Sequence, residues 1–343
     1  MLRDGVIDDI APAESVTPVG DVVEGHEHSL IPGLIDTHVH LTDQGELEAT
    51  ARAGVTTVVE LGTHPDELID ELRREAPRGR GSDVVSAGSA ASAPGSTQTT
   101  AMGFPIESAV TDPGDAERYL SWRVDHGSDL IKIIVEDPDA TDVPALSPET
   151  LAALVDGAHR RGLLTVAHVV TAQSFARALH AGVDVLTHAP LDRVLPPGVL
   201  EDMLAAGVVV SPTLVMMRTV TRARLGARAE EAFATCLQAV REMYRAGVPI
   251  VAGTDANNTP FAPVAHGSSL HEELGWLRQA GMTAREALNA ATGRAAQTFR
   301  LTDRGEVAVG QRADLLLVRG AINTDLDTLA DPAGVWLAGS RLV

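Results

Sequence analysis

The segment "LIPGLIDTHVHL", residues 30–41, places two histidines one residue apart at the end of a short apolar run. Side chains alternate along a β-strand, so His38 and His40 would point to the same side, close enough to hold one ion. Two polar residues that merely close a strand would look the same, and an HxH pattern alone does not decide between these interpretations. The segment is, however, the first of several that end in this way.

The chain from about residue 30 to 300 repeats one pattern. Short β-branched runs alternate with longer stretches of helical spacing, which is typical of βα units around a parallel sheet. The eight candidate strands are "LIDTHVH", "GVTTVVEL", "DVVSAGS", "LIKIIVE", "LLTVAHVV", "DVLTHAP", "VVVSPTL" and "IVAGTDA". Eight such units predict an α/β fold, a closed (β/α)8 TIM barrel over residues 32–302. Several strands follow an "AG" or "RG" step, where glycine can end the preceding helix.

The two ends of the chain lack this helical pattern. Residues 1–31 and 303–343 consist of short strand-like runs separated by glycine turns. We expect them to pair as a small β-sandwich-like domain built from both termini.

The composition excludes several classes of partner. Among 343 residues, 47 are acidic and 27 are basic, which gives a formal net charge of −20. Such a surface repels nucleic acids and anionic membranes. The single cysteine, Cys236, excludes an internal disulfide framework, and neither a signal peptide nor an apolar run of membrane-spanning length is visible. We therefore expect a soluble cytoplasmic protein that acts on a small molecule, with a homo-oligomer compatible with the sequence.

Four further candidate strands carry a polar residue of the metal-ligand type near the carboxyl end. Carboxyl ends of parallel strands meet at one mouth of a barrel, so these side chains would converge with His38 and His40. A lone core histidine is commonplace, but an isolated lysine in a buried strand is costly because its charge must be desolvated. One shared site explains the set better than unrelated accidents. The additional residues are Lys132, His168, His188 and Asp255.

This set, "PGLIDTHVH", "DLIKII", "VAHV", "THAP" and "AGTDA", resembles the amidohydrolase superfamily and specifically its binuclear-metal type. The resemblance extends to "GMTAREALNAATGRAAQTF" and "GEVAVGQRADLLLV", which are similar to the last barrel helix and closing β-domain of imidazolonepropionase-like and Xaa-Pro dipeptidase-like members. It covers nearly the whole chain.

The resemblance implies the role of each residue in the set. His38 and His40 would bind one divalent ion with Asp255, and His168 and His188 would bind a second. Lys132, carboxylated on its Nζ atom, would bridge the two, whereas an ammonium would repel both cations at short range. If Lys132 is unmodified, one metal ion remains the alternative. Mixed nitrogen and oxygen ligands favour zinc, with manganese, iron, cobalt and nickel as alternatives.

Two close metal ions activate water and polarise a carbonyl, so the expected reaction is hydrolysis of an amide C–N bond in a peptide-like, N-acyl or cyclic amide substrate. The expected catalytic residues are Asp255, which would carry the proton to the leaving nitrogen, and His188. A lactone, ester or phosphotriester would suit the same centre. A non-catalytic scaffold on this fold is the third hypothesis.

Substrate contacts are less well defined by the sequence. Four cationic or imidazole side chains in the connections after strands could hold a substrate carboxylate or polarise a carbonyl, although each also suits a solvated loop. They are His64, Arg193, Arg218 and His266. The long connection 89–115 is rich in small residues and suits either a mobile lid or an inert flexible loop.

Overall fold

The computed structural model of the chain describes residues 1–17, 19–76, 81–322 and 325–343. Its strands are β1 Leu2–Arg3, β2 Val6–Ile7, β3 His28–Pro32, β4 Leu34–Val39, β5 Val55–Glu60, β6 Asp83–Ser86, β7 Leu130–Ile134, β8 Leu164–His168, β9 Val185–Thr187, β10 Val209–Ser211, β11 Leu315–Arg319, β12 Gly334–Leu337 and β13 Ser340–Arg341. Its α-helices are α1 Gln44–Arg52, α2 Asp66–Glu75, α3 Thr97–Thr100, α4 Ala116–Asp125, α5 Pro148–Arg160, α6 Ala172–His180, α7 Pro197–Ala206, α8 Leu214–Leu225, α9 Ala229–Ala246, α10 Ser268–Gln279, α11 Ala284–Ala290 and α12 Gly293–Thr298.

Seven of the predicted strands form two parallel sheets. One has the order β4-β5-β6 and the other the order β10-β9-β8-β7. The chain beyond β6 joins them, because Ala91 donates to the Lys132 carbonyl oxygen and its own carbonyl accepts from Ile134, both at 2.8 Å. The strands are buried on both faces, as expected where helices cover the outside and side chains fill the inside.

The eighth predicted strand, residues 250–256, is not a regular strand but closes the ring. It makes one bridge to each neighbour, Val210 to Ile250 and Val39 to Ala256. The left-handed φ of 58° at Asp255 interrupts the extended backbone that a regular ladder needs. Gly253 lies against two side chains, and a Cβ atom there would stand 2.4 Å from Ser211 Oγ. The predicted (β/α)8 barrel is confirmed. Residues 250–256 form its irregular eighth segment, the eighth stave, and each regular strand of the barrel is likewise a stave.

The predicted helix-ending glycines adopt the expected conformation. Gly207 and Gly247 end α7 and α9 with φ values of 68° and 91°, in the left-handed region that side chains with a Cβ atom rarely adopt. Each lets the chain turn directly into the next barrel segment. The "AG" step is therefore a helix-ending turn that recurs along the barrel.

Both ends of the chain meet in a small sheet beside the barrel. Its order is β13-β12-β11-β3, all antiparallel, with Leu315 paired to Pro32. The β1–β2 hairpin adds Ile7 to an apolar cluster with Leu315 and Trp336. Gly33 leads from β3 into β4, and a Cβ atom there would lie 2.1 Å from Thr56 Oγ1. The pairing of the two termini follows the prediction, while the boundaries at 31/32 and 302/303 stay predictions.

No helix within the four described ranges has both the length and the apolar character that crossing a membrane would require.

Candidate metal centre

Two histidines of β4 and the carboxylate of the eighth stave meet at the barrel mouth. Asp255 Oδ1 lies 3.0 Å from His40 Nε2 and 3.4 Å from His38 Nε2. One potential ligand atom from each of these three residues lies within 4.8 Å of the other two. The alternation along β4 brings the two imidazoles to one side, as the HxH pattern predicts, and the backbone bond from Asp255 N to His38 O, at 2.8 Å, fixes the carboxylate beside them.

A second imidazole pair lies next to this cluster. The rings of His168 at the end of β8 and His188 after β9 are 4.4 Å apart between centroids, and the His188 ring is 5.1 Å from that of His38. His188 Nδ1 lies 2.8 Å from Thr213 Oγ1 and 3.9 Å from Asp255 Oδ2. One carboxylate oxygen of Asp255 thus lies nearest the His38–His40 pair, and the other lies on the side of His188.

Lys132 lies in the same cluster, on β7. Its side chain is 2% exposed, and Nζ donates to Thr187 Oγ1 at 2.9 Å. Burial lowers the pKa of this amine to about 7, although the charges of Asp255 and Glu60 oppose the shift. An amine with this pKa is partly uncharged at neutral pH, which is the form that reacts with carbon dioxide.

Burial favours the neutral form of three imidazoles of the cluster, those of His38, His168 and His188. Burial, followed by the charge of Lys132, lowers the pKa of His38 well below its ordinary value, and burial with the neighbouring imidazole of His168 does the same for His188. The pKa of His168 is lowered to about 3, mainly by burial. Neutral imidazoles with free lone pairs are the form that binds metal ions.

A buried carboxylate outside the predicted set fixes the backbone around the ligands. Asp36 accepts hydrogen bonds from Thr254 Oγ1 at 2.7 Å, from Thr254 N at 3.0 Å and from His38 N at 3.2 Å. It therefore ties β4 to the eighth stave at the residue that precedes Asp255. Burial raises the pKa of Asp36 to about 7, partly offset by these hydrogen bonds.

A second buried carboxylate supports the loop beside His40. Glu60 at the end of β5 accepts from the backbone N–H groups of Gly62, Thr63 and Gly88 and from Ser86 Oγ. The loop passes so close to His40 that a Cβ atom on Gly62 would lie 3.0 Å from His40 Cε1. Glu60 thus shapes the wall of the site without leaving a free oxygen for a ligand.

Strained backbone is concentrated at this centre. His188, Asp255 and Thr213 have φ values of 79°, 58° and 46°, which non-glycine residues rarely adopt. Such conformations cost free energy and persist where the surroundings hold them, typically at functional sites. Here they turn the His188 and Asp255 side chains toward the common centre.

The four predicted substrate contacts are placed differently from one another. His266 is buried, and its Nε2 lies 2.9 Å from the His40 carbonyl oxygen, so it supports the backbone of a predicted ligand. His64 Nε2 lies 3.1 Å from the Met102 carbonyl oxygen, and its ring packs edge-on against Phe104 of the long connection. Both residues border the centre, and their role in substrate binding stays a prediction.

The two arginines of that set lie against acidic neighbours. Arg193 is 62% exposed and pairs with Asp192 at 3.1 Å. Arg218 Nη1 lies 3.5 Å from Glu272, and its guanidinium lies 4.8 Å from the Trp276 ring centroid. These contacts occupy both cations, whose role in binding also stays a prediction.

Sequence reasoning missed the supporting residues Asp36, Glu60 and Thr254. A signal for the first two was present, since each is an acidic residue in a candidate strand of the parallel sheet, where burial makes a charged side chain unusual. Asp36 even shares the face of His38 and His40. Thr254 carries no such signal, because its partner lies 218 positions away along the chain.

The donor set fits divalent metal ions. Imidazoles and one carboxylate converge at this point, and the buried His38 Nδ1 has no hydrogen-bond partner among the residues that the structure describes. The arrangement of His38, His40 and Asp255 offers two nitrogens and one oxygen to a single ion, and His168, His188 and Lys132 surround the adjoining position.

The comparisons with known proteins agree with this geometry. The chain is 28% identical to the imidazolonepropionase of Deinococcus deserti, over 100% of this chain and 91% of that protein. It is also similar to a crystal structure of a putative prolidase from Bifidobacterium longum, with 25% identity, a TM-score of 0.83 and coverage of 99% of this chain and 87% of the other. The structure of a Xaa-Pro dipeptidase with bound methionine shares the fold, with a TM-score of 0.82, 22% identity and coverage of 99% and 93%.

Both subgroups of the predicted resemblance, imidazolonepropionase-like and Xaa-Pro dipeptidase-like, are thus found among similar proteins. A model of the "Amidohydrolase family" matches residues 29–342, nearly the whole chain. The chain belongs to the amidohydrolase family, and the prediction of a hydrolase that acts on carbon–nitrogen bonds is confirmed.

Proposed function

We propose that the chain is a metal-dependent hydrolase that cleaves an amide bond at a centre of two divalent ions. The observation that carries the proposal is the position of Asp255, whose Oδ1 faces His38 and His40 while Oδ2 faces His188. A carboxylate that lies between the His38–His40 pair and His188, which itself packs against His168, suits two adjacent ions better than one. Zinc is the proposed metal, because the ligands are imidazole nitrogens and carboxylate oxygens.

Six side chains would hold the ions. His38, His40 and Asp255 would hold the first, and His168 and His188 the second, with carboxylated Lys132 shared between them. Carboxylation would join the uncharged Lys132 amine to carbon dioxide through a new N–C bond and release one proton, so that a neutral amine becomes an anion. The lowered pKa of Lys132, about 7 as a result of burial, supports this reaction near neutral pH.

The metal ions, when bound, would lower the pKa of water and polarise the substrate carbonyl. Asp255 would accept the proton of the attacking water on Oδ2 and deliver it to the leaving nitrogen. His188 lies 3.9 Å from that oxygen, and burial keeps its imidazole neutral, so it competes weakly for the proton. The backbone bonds of Asp255 and the Asp36 contacts hold the carboxylate in place during the transfer.

The proposed substrate class is a peptide-like, N-acyl or cyclic amide. Two similar proteins support this range, since one is named imidazolonepropionase and the other putative prolidase. Lactones, esters and phosphotriesters present electrophilic centres to the same machinery and form the alternative class.

Metal analysis of the purified protein, followed by a screen of dipeptides, N-acyl amino acids, cyclic amides and lactones, tests the proposal. We expect about two equivalents of divalent metal and amide hydrolysis that a chelator abolishes and added zinc restores. Asp255→Asn should lower kcat/KM by about 10³-fold, because it removes the proton carrier and an anionic ligand. Asp156→Asn, an exposed change on α5, is the matched control and should keep wild-type turnover.

Three results would overturn the proposal. Purified protein that neither contains nor takes up metal supports a scaffold, hydrolysis confined to lactones or esters supports the alternative class, and unchanged turnover of Asp255→Asn excludes the proton transfer.

A further inference from the structure

Two side chains from different connections meet on the side of the barrel that carries the metal centre. Arg224 lies near the end of α8, the helix that follows β10, and Phe261 lies in the loop that follows Asp255. The Arg224 guanidinium carbon is 4.8 Å from the centroid of the Phe261 ring. Neither residue was part of the set expected from the sequence.

The two elements that carry this pair leave the barrel at the end where the metal centre lies. In the ring of staves, β10 is the direct neighbour of the stave that carries Asp255. The helix α8 begins directly after Thr213, whose Oγ1 lies 2.8 Å from His188 Nδ1, and Phe261 belongs to the loop that follows Asp255. The contact with Phe261 therefore holds the Arg224 guanidinium on the mouth side of the barrel.

Arg224 and Phe261 are both open to solvent. Arg224 is exposed, and Phe261 is 55% exposed although it is a large apolar side chain. Two other arginines of the same helix are paired with acids, Arg218 with Glu272 and Arg222 with Glu230. In the parts of the chain that the structure describes, no carboxylate pairs with Arg224, although the sequence contains 47 acidic residues.

This pair matches a particular ligand chemistry. A guanidinium donates two parallel N–H bonds to one carboxylate, and an exposed aromatic ring offers a face for an apolar group beside it. A single cation suits a monoanionic carboxylate better than a phosphate, which usually recruits several cations or backbone N–H groups. Because the net charge of −20 repels anionic substrates, a local cation at the mouth is needed to draw one in.

We propose that Arg224 and Phe261 form a subsite for a substrate carboxylate, so that the substrate is an amide with a free carboxylate, such as an N-acyl amino acid or a dipeptide. This inference rests on the proposed function, because it assigns the substrate of the same centre. Arg224 binds the carboxylate, and Phe261 packs against the adjoining apolar group and holds the guanidinium in position.

Paired substrates test the subsite. Each N-acyl amino acid that the enzyme cleaves is compared with its own carboxamide, which has the same shape without the charge. We expect the wild type to prefer the acid, and Arg224→Gln to lower the acid-to-carboxamide ratio of kcat/KM by about 10- to 100-fold, mainly through KM. Arg224→Lys keeps the charge but loses the two-pronged geometry, so its ratio should fall between the two. Phe261→Ala should raise KM for acids with large apolar side chains.

Arg222→Gln is the matched control, since it removes the same charge from the same helix at a residue paired with Glu230. It should keep the wild-type ratio. Thermal unfolding of each variant checks that the fold is intact. An unchanged ratio in Arg224→Gln, or an equal fall in Arg222→Gln, overturns the inference while amide hydrolysis itself stands.

A binding measurement keeps the inference separate from catalysis. The sulfonamide of N-methanesulfonyl-L-phenylalanine resists hydrolysis, and calorimetry compares its binding with that of its carboxamide. We expect tighter binding of the acid by the wild type and Arg222→Gln, and loss of that preference in Arg224→Gln. If the wild type cleaves no amide but shows this preference, the proposed function fails and the subsite stands. Absence of any preference in the wild type overturns the subsite.

Discussion

Single residues outside the ligand set decide how firmly the centre is held. Thr254 Oγ1 donates to Asp36 at 2.7 Å and accepts from Ala256 N at 3.0 Å, so one hydroxyl braces the backbone on both sides of Asp255. Because Asp36 is fully buried, loss of a donor leaves part of its carboxylate without a partner. The geometry of the Asp255 ligand therefore depends on a residue that touches no metal.

Thr254→Val tests this dependence. We expect metal affinity to fall by roughly 10- to 100-fold and the free energy of unfolding, measured with chelator present, to fall by about 1–3 kcal/mol. Metal titration and thermal unfolding give the two quantities. Thr235→Val on α9, whose hydroxyl bonds only its own helix at 3.1 Å, is the control and should change neither by much. Wild-type metal affinity in Thr254→Val would show that the brace is unimportant.

At this scale the sequence predicted which side chains converge, because alternation along a strand is a local property. It did not predict what supports them. His266 was expected to contact substrate, yet its Nε2 lies against the His40 carbonyl oxygen. Arg224 was missed because an arginine near the end of an exposed helix has no periodic signal. Contacts between distant connections depend on tertiary packing, which local patterns do not encode.

At the scale of elements, α8 is an addition to the basic βα unit. The chain after β10 forms α8 and then α9, whose apolar face packs into the main core. The start of α8 is held by Glu273 of α10, whose Oε2 accepts from Val215 N at 2.9 Å, while Oε1 has no hydrogen-bond partner in the described part of the chain. Burial raises the pKa of Glu273 to about 8, against the opposing hydrogen bonds from Val215 and Leu214.

Glu273 therefore makes stability depend on pH. Its pKa is raised from the ordinary value of 4.5, so its contribution is fully present below about pH 4.5 and is lost as the pH rises through 8. Glu273→Gln removes this titration, so only the wild type should lose stability as the pH rises. The free energy of unfolding of the variant minus that of the wild type should therefore increase by roughly 1–3 kcal/mol from pH 5 to pH 9. Urea unfolding at several pH values measures the trend. Glu201→Gln, exposed on α7, should show none, and a flat difference for Glu273→Gln would contradict the assignment.

The repeated pattern predicted seven strands and the position of the eighth stave, since hydrophobic runs bounded by glycine are a strong local signal. The irregular form of the eighth was not predicted. It arises from Gly253 packed against Thr37 and Ser211 and from the left-handed backbone at Asp255, both of which are set by neighbours across the barrel. The backbone conformation that turns the Asp255 carboxylate toward the centre is incompatible with a regular strand at this stave.

At the scale of the whole molecule, a charged cluster joins the barrel to the C-terminal segment. Asp83 of β6 accepts from Arg304 Nη1 and Arg312 Nη1, both at 2.7 Å. Arg304 also donates to Thr57 Oγ1 of β5 at 2.9 Å. These contacts fix the chain that enters the small sheet against the end of the barrel remote from the metal centre, where the strands begin.

Asp83→Asn tests this junction. Burial alone would raise the pKa of Asp83, but the charges and hydrogen bonds of Arg304 and Arg312 outweigh it and leave the pKa below its ordinary value of 3.8. A depressed pKa means that the stabilisation is present above about pH 3.8 and is lost as the pH falls further.

We expect the free energy of unfolding of Asp83→Asn to be about 1–3 kcal/mol below that of the wild type at pH 7, since two arginines lose their common partner. This deficit should shrink below pH 3.8, as urea unfolding at several pH values would show. Asp303→Asn, at a side chain that is 54% exposed and pairs with Arg304, should lose much less. Because the junction lies away from the barrel mouth, metal content should stay at the wild-type level, and a loss of metal in Asp83→Asn would show that the small sheet and the metal centre are coupled.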